Sequence, residues 1–156
     1  KTIEKICYKL ALKNLETVAL HEEMTSTQRE SILTKFLTNK VRILVTTCVL
    51  IQGNDICEFI PLIINYDLPA SPEIYGQRIS CASSNTKQGI VISIINSRSK
   101  EMGKLRNIEE FYKFKMLEMP DNFTTEIFAF ELMLEILLSK LIEMKTENFT
   151  QNSEKI

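Results

Sequence analysis

Between two apolar runs lies YGQRISCASSNTKQG, Tyr75 to Gly89, in which one arginine, Arg78, precedes the small residues Ser80, Cys81, Ala82, Ser83 and Ser84. A guanidinium can fork onto a phosphate or carboxylate, whereas a hydroxyl or thiol cannot. Nucleophilic and metal chemistry have less material. His21 is the only histidine, and no partner for nucleophilic catalysis accompanies it. The four cysteines, Cys7, Cys48, Cys57 and Cys81, form no C-x-x-C pair. That argues against a metal site and, in a chain with this much core material, against a disulfide framework; reduced thiols in the cytosol or nucleus fit better. Nothing beside Cys81 in sequence would activate its thiol. Arg29, Lys35, Lys40 and Arg42 offer either a small phosphate-facing patch or a solvated face. The formal net charge of −1 supplies no global positive field, so any nucleic-acid contact is local.

These residues sit on an alternating pattern of elements. TIEKICYKLALK has helical spacing at Ile3, Ile6, Cys7, Leu10 and Leu12. ETVALH reads as a short strand. In TSTQRESILTKFLTN, Thr25 and Gln28 make a capping-box pattern, and Ile32, Leu33, Phe36 and Leu37 form one face. VRILVTT and LIINYDLP are β-rich runs. SPEIYGQRI opens with Ser71 as N-cap and Pro72 at the first helical position. GIVISII, Gly89 to Ile95, is continuously apolar, as expected of a strand buried on both faces. KEMGKLRNIEEFYKF reads as a polar-faced helix. Strands alternating with helices predict a parallel β-sheet flanked by helices, an α/β layer fold.

The 156 residues, 44% of them apolar and 25% charged, predict a soluble globular chain with one core. Charges at Lys1, Glu4, Lys5 and Lys9 do not fit a secretory leader in this stretch, and the first residue is not Met, as in a trimmed chain or fragment. Asn122 and Asn148 open NFT sequons without secretory context. The stretch TTEIFAFELMLEILLSKLIEMK is apolar almost all round. Its length would suit a membrane span, but the acidic residues within it each cost a few kcal/mol there (about 3). A long helix over about 124–145, docked on its own domain, a protein partner or a second copy, is the expectation, with a frayed tail after it.

The order of these motifs resembles the second, C-terminal RecA-like lobe of the DEAD-box RNA helicases, continuously from about Val18 to Ile95 and more weakly through IEEFYKFKMLEMP. KLIEMKTENF is faintly similar to the branch that processes ribosomal RNA, and IINYDLP to the translation-initiation branch. The family's HG turn falls on His21-Glu22, and its Q-x-E-R helix start on Ser26, Gln28 and Arg29. Its T-D-x-x-x-R-G-x-D segment falls on Thr47 to Asp55, and its H-R-x-G-R-x-x-R on Gln77 to Ser84. The resemblance implies RNA contact at Thr47, Arg29 and His21, and nucleotide contact at Asp55, Gly53 and Arg78. The bland alternatives are a turn cap for Asp55, a strand-end threonine for Thr47, a structural role for His21 and a surface ion pair of Arg78 with Glu73 or Asp67.

The same resemblance implies a helicase lobe degenerate in catalysis, the alternatives being a non-catalytic RNA- or protein-binding module or a decayed fragment without activity. The positions of the two phosphate-sensing arginines hold Cys81 and Ser84. An arginine finger is worth on the order of a thousandfold in rate, roughly 4 kcal/mol of transition-state stabilisation. Ser80 and Ser83 stand for glycines, Gln52 for an arginine, Cys48 for an aspartate, and Glu22, where glycine is usual, would repel a phosphate. ATP and Mg would be cofactors only together with a first RecA-like lobe, which carries the phosphate loop and the D-E-A-D segment. The family's opening strand is expected to precede KTIEKI. Residues 1–120 are read as the lobe, partial for that reason, and 121–156 as a helical extension and tail. The implied partners are RNA, bound weakly, the first lobe, and a protein or second copy through 124–145. The implied location is the nucleus, nucleolus or cytoplasm, not a membrane.

Overall fold

The computed structural model describes residues 2–47, 60–82, 89–119, 141–145 and 147. They fall into two compact units, Lys1–Glu58 and Phe59–Ile156.

In the first unit, helix α1 (Thr2–Ala11) buries Ile6 and Leu10, one turn apart, and carries Glu4 in its first turn and Lys9 in its last, as the helix dipole favours. The last helical residue is Ala11, and the chain turns away at Asn14, which is left-handed (φ 58°). Leu12 therefore lies past the end and is 65% exposed, not on the apolar face its spacing predicts. Strand β1 (Thr17–Leu20) and strand β2 (Ile43–Thr46) pair in parallel, Thr17 opposite Ile43 and Leu20 opposite Thr46. Between them runs α2 (Ser26–Leu37). Its capping box forms as the sequence predicts: the Thr25 Oγ1 accepts from the Gln28 N–H, and the Gln28 Oε1 accepts from the Thr25 N–H at 3.0 Å. Ile32, Leu33 and Phe36 are half-buried along one face, but Leu37, in the last position of the helix, is exposed. Fully buried Leu10 and Leu20 anchor this unit, each contributing about 1.5–3 kcal/mol.

In the second unit, β3 (Leu62–Asn65) leads through α3 (Pro72–Ser80) to β4 (Ile90–Ser93), parallel to β3 with Leu62 opposite Ile90 and Asn65 opposite Ser93. Ser71 caps α3 by accepting from the Ile74 N–H, and Pro72 takes the first helical position. Helix α4 (Glu101–Tyr112) follows and stops where Lys113 turns left-handed. Leu68, Tyr75 and Ile108 form the core, with Ile79, Ile95, Leu105 and Met116 packed on it. The α3–α4 approach depends on Gly76, where an added Cβ would lie 2.0 Å from the Tyr112 Oη. That hydroxyl donates to the Pro72 carbonyl at 3.1 Å. β4 is shorter than its apolar run, and Ile90, at its first position, is exposed while Ile92 is buried. Of the helix expected over about 124–145, residues 124–140 lie outside the described residues; over residues 141–145 a helical turn buries Leu141, Met144 and Lys145. No helix among the described residues is long and apolar enough to cross a membrane.

Candidate functional site: the carboxyl ends of the strands

In a parallel α/β sheet, ligands are met at the carboxyl ends of the strands, where loops lead into helix N-termini. In the first unit that edge gathers the residues expected to face RNA. His21 follows β1, half-buried, with Nδ1 3.9 Å from the Glu23 carboxylate. Thr47 follows β2 and is exposed; its N–H donates to the Leu20 carbonyl at 3.4 Å. The register sets Leu20 opposite Thr46, so His21 and Thr47 leave the sheet side by side. Arg29 sits half-buried in the first turn of α2, which the loop after His21 feeds. Glu22 and Glu23 on that loop are exposed. They offset part of the local positive charge, so a phosphate at this edge would meet a mixed field.

In the second unit the strand ends are occupied by protein cations. Arg78, in the last turn of α3, donates from Nη1 to the Asn65 Oδ1 at 3.0 Å and to the Asp67 carbonyl at 2.9 Å. The ion pair with Glu73 does not form. The two residues are five apart on one helix and face different ways, and Glu73 is held below the usual carboxylate range by its own N–H and the Ser71 hydroxyl. Asp67 meets Arg78 through its main chain rather than its carboxylate. Asn65, 3% exposed, uses its Nδ2 on the Ser93 Oγ at 3.3 Å, which ties β3 to β4. Lys104 of α4 donates to the Leu68 carbonyl at 3.0 Å.

Lys145 reaches the same edge from the C-terminal turn. Its Nζ donates to the carbonyls of Tyr66 and Ile94 and to the Glu101 Oε1 at 2.9 Å, and lies 3.6 Å from the Asp67 Oδ1. Burial would raise the Glu101 carboxyl, but the Asn96 N–H and Lys145 together hold it below the ordinary range. Glu109 is also held low, by the Met116 N–H first and then by Lys115. Burial pushes the Tyr75 phenol up.

Position 81 is an inward one. Cys81 caps the end of α3 with no exposed surface, and its carbonyl accepts from the Ile60 N–H at 2.8 Å. An arginine finger needs to reach outward; this side chain is enclosed. Gly89 closes the same corner, its N–H on the Ala82 carbonyl at 2.6 Å, and an added Cβ would press on that carbonyl. Asp55, Gly53 and Ser84, with Cys48, Gln52 and Ser83, lie outside the described residues. Among the described residues no group of three metal-ligating side chains occurs. Of the nucleotide-side candidates among the described residues, Cys81 is buried and offers no positive charge to a phosphate, and Arg78 is engaged by Asn65 and Asp67 in this structure.

A model of the helicase conserved C-terminal domain matches residues 1–83. The ATP-dependent RNA helicase eIF4A of Meyerozyma guilliermondii is 33% identical over 120 residues, which cover 77% of this chain and 30% of that protein. The chain belongs to the DEAD-box helicases, as a C-terminal lobe. The ATP-dependent RNA helicase FAL1 of Saccharomyces cerevisiae is likewise 33% identical over 123 residues, 79% of this chain and 30% of that protein. Among solved structures, a DEAD box protein from Methanococcus jannaschii superposes with TM-score 0.67 at 36% identity, covering 72% of this chain and 30% of that one. The C-terminal domain of the DEAD-box protein Dbp5 shares the fold, with TM-score 0.68 at 24% identity over 92% of this chain and 77% of that one. The DEAD-box lobe thus spans about 30% of the length of the curated helicases it matches.

Of the Asn65–Leu68 cluster, the sequence points to Arg78 with Asp67, and there to the carboxylate rather than the carbonyl that Arg78 meets. A further local signal is the asparagine closing the apolar run LII; Lys145, 79 residues from Tyr66, gives none.

Proposed function

We propose that this lobe descends from an ATP-dependent RNA-remodelling enzyme of translation or ribosome biogenesis and no longer supports ATP hydrolysis. The observation that carries this is the enclosed thiol of Cys81 at a family arginine-finger position. Ser84 at the second such position adds a second neutral side chain. What persists is a non-catalytic module in the nucleus, nucleolus or cytoplasm. It binds RNA weakly through Thr47, Arg29 and His21, and it meets a protein partner or second copy through 124–145. Any ATP and Mg would come with a first lobe, with Asp55, Gly53 and Arg78 on the nucleotide side. The lobe is taken as 1–120 and the extension as 121–156.

Fluorescence anisotropy with a labelled single-stranded RNA tests the binding half. The chain should bind weakly, and Thr47→Ala with Arg29→Ala should weaken it further with a shallower salt dependence. Binding unchanged by both substitutions would remove the first unit's edge from the account. A second reading, a working lobe that is paired with a first lobe and compensates for its arginines, is favoured by the length of the relatives, of which this chain spans about 30%. RNA-stimulated phosphate release from the two-lobed protein would select it.

A further inference from the structure

Three successive carbonyls leaving β3 are each held by a cation from a different part of the second unit. The Tyr66 carbonyl accepts from Lys145 of the C-terminal turn, the Asp67 carbonyl from Arg78 of α3, and the Leu68 carbonyl from Lys104 of α4. Lys145 and Arg78 therefore grip consecutive planar peptide units, and a tilt of one plane re-aims its neighbour. Asp67 is engaged twice, by its carboxylate near Lys145 and its carbonyl on Arg78.

The Lys145 ammonium is nearly enclosed, as is the Glu101 carboxylate it meets; both residues are 9% exposed. A buried ammonium persists only where oxygens replace its water. Here the Glu101 and Asp67 carboxylates and the Tyr66 and Ile94 carbonyls do so. Removing the ammonium leaves Glu101 without its cation and takes a donor from both carbonyls, so the strip at 65–67 must shift or hydrate.

We infer that Lys145 is a positioning residue for Arg78: docking of the turn at 141–145 and the setting of the Arg78 guanidinium are one coupled equilibrium, joined through the peptide units that follow Tyr66 and Asp67. The coupling holds whether or not Arg78 meets a nucleotide. By linkage it runs both ways. A ligand that draws Arg78 off Asp67 loosens the C-terminal turn, and a partner that takes the C-terminal segment releases Arg78.

The test uses the full 156-residue chain, with two readouts: the Arg78 Nε–Hε resonance, identified by its loss in Arg78→Lys, and hydrogen exchange in peptides spanning 62–68 and 141–147. In Lys145→Met, exchange in both peptides should rise on the order of tenfold, the scale of a lost charged hydrogen bond. The Arg78 resonance should move toward that of a solvated arginine. Lys145→Arg, which keeps the cation, should restore most of both signals, and Arg78→Met should speed exchange at 141–147. If Lys145→Met loosens 141–147 while the Arg78 resonance stays in place, the coupling is wrong. Unchanged exchange at 141–147 would overturn the docking role itself. Should Lys145→Met fail to fold, Glu101→Gln is read against the same two outcomes.

Discussion

Cys81 and Arg78 stand three residues apart and behave oppositely. Cys81 is enclosed at the end of α3, so a charge placed there meets little water. Cys81→Arg should lower stability by roughly 2 kcal/mol or more, while Cys81→Ala changes it far less. Urea unfolding that gives Cys81→Arg the same midpoint as the parent would show that the corner opens readily and that the lost finger is easily rebuilt. Arg78 is instead a tie. It satisfies the buried Asn65 carboxamide and the Asp67 carbonyl. Arg78→Met should cost about 1.5–3 kcal/mol, the range for a charged donor whose acceptor is left buried, and a thermal shift within error of the parent would contradict that. That position 81 carries no positive charge is readable in the sequence, because it is a matter of residue identity. Its burial was not, because a thiol's neighbours at a helix end come from chain that is distant in sequence.

At the scale of elements, local chemistry carried most of the information. Thr25 with Gln28, and Ser71 with Pro72, set the starts of α2 and α3 because caps are satisfied within one turn. Thr25→Ala should cost about 1 kcal/mol, seen as faster amide exchange in the first turn of α2; unchanged exchange would mean the box is ornamental. The ends were harder. Leu12 keeps helical spacing although α1 ends one residue before it, at Ala11, and β4 stops short of its apolar run, since pairing rather than hydropathy sets strand length. Gly76 is a third case, a helix-interior glycine kept by the Tyr112 hydroxyl above it. In the parent background Gly76→Ala should destabilise, since the phenol must leave the Pro72 carbonyl. Combined with Tyr112→Phe the cost should shrink toward the gain of up to about 1 kcal/mol that alanine brings to a helix. Equal effects of Gly76→Ala in both backgrounds would show that the close approach is not what excludes a side chain.

For the whole molecule, the parallel α/β order was legible because the alternation of strand and helix is a property of spacing. The cation cluster over residues 65–68 was not, because Lys145 reaches it across most of the second unit's sequence. Glu101 of that cluster, with Glu109 beside Met116 and Lys115, predicts a pH response. Glu101 and Glu109 sit below their ordinary value of 4.5 in the folded chain. A folded-state value below the unfolded one gives stability that is fully present above about that pH and is lost as pH falls through the lowered values. Acid should therefore weaken the second unit below about pH 4.5, and Glu101→Gln should flatten the curve there. A Glu101→Gln chain with the parent's acid profile would remove that carboxylate from the explanation.

This DEAD-box lobe keeps its fold with neutral residues, Cys81 and Ser84, where the resemblance sets the family's phosphate-sensing arginines. The most direct measurement is RNA-stimulated phosphate release from the chain fused to an intact first lobe. The rate should be no higher than that of the first lobe alone. Release that rises with RNA well above that level would contradict it.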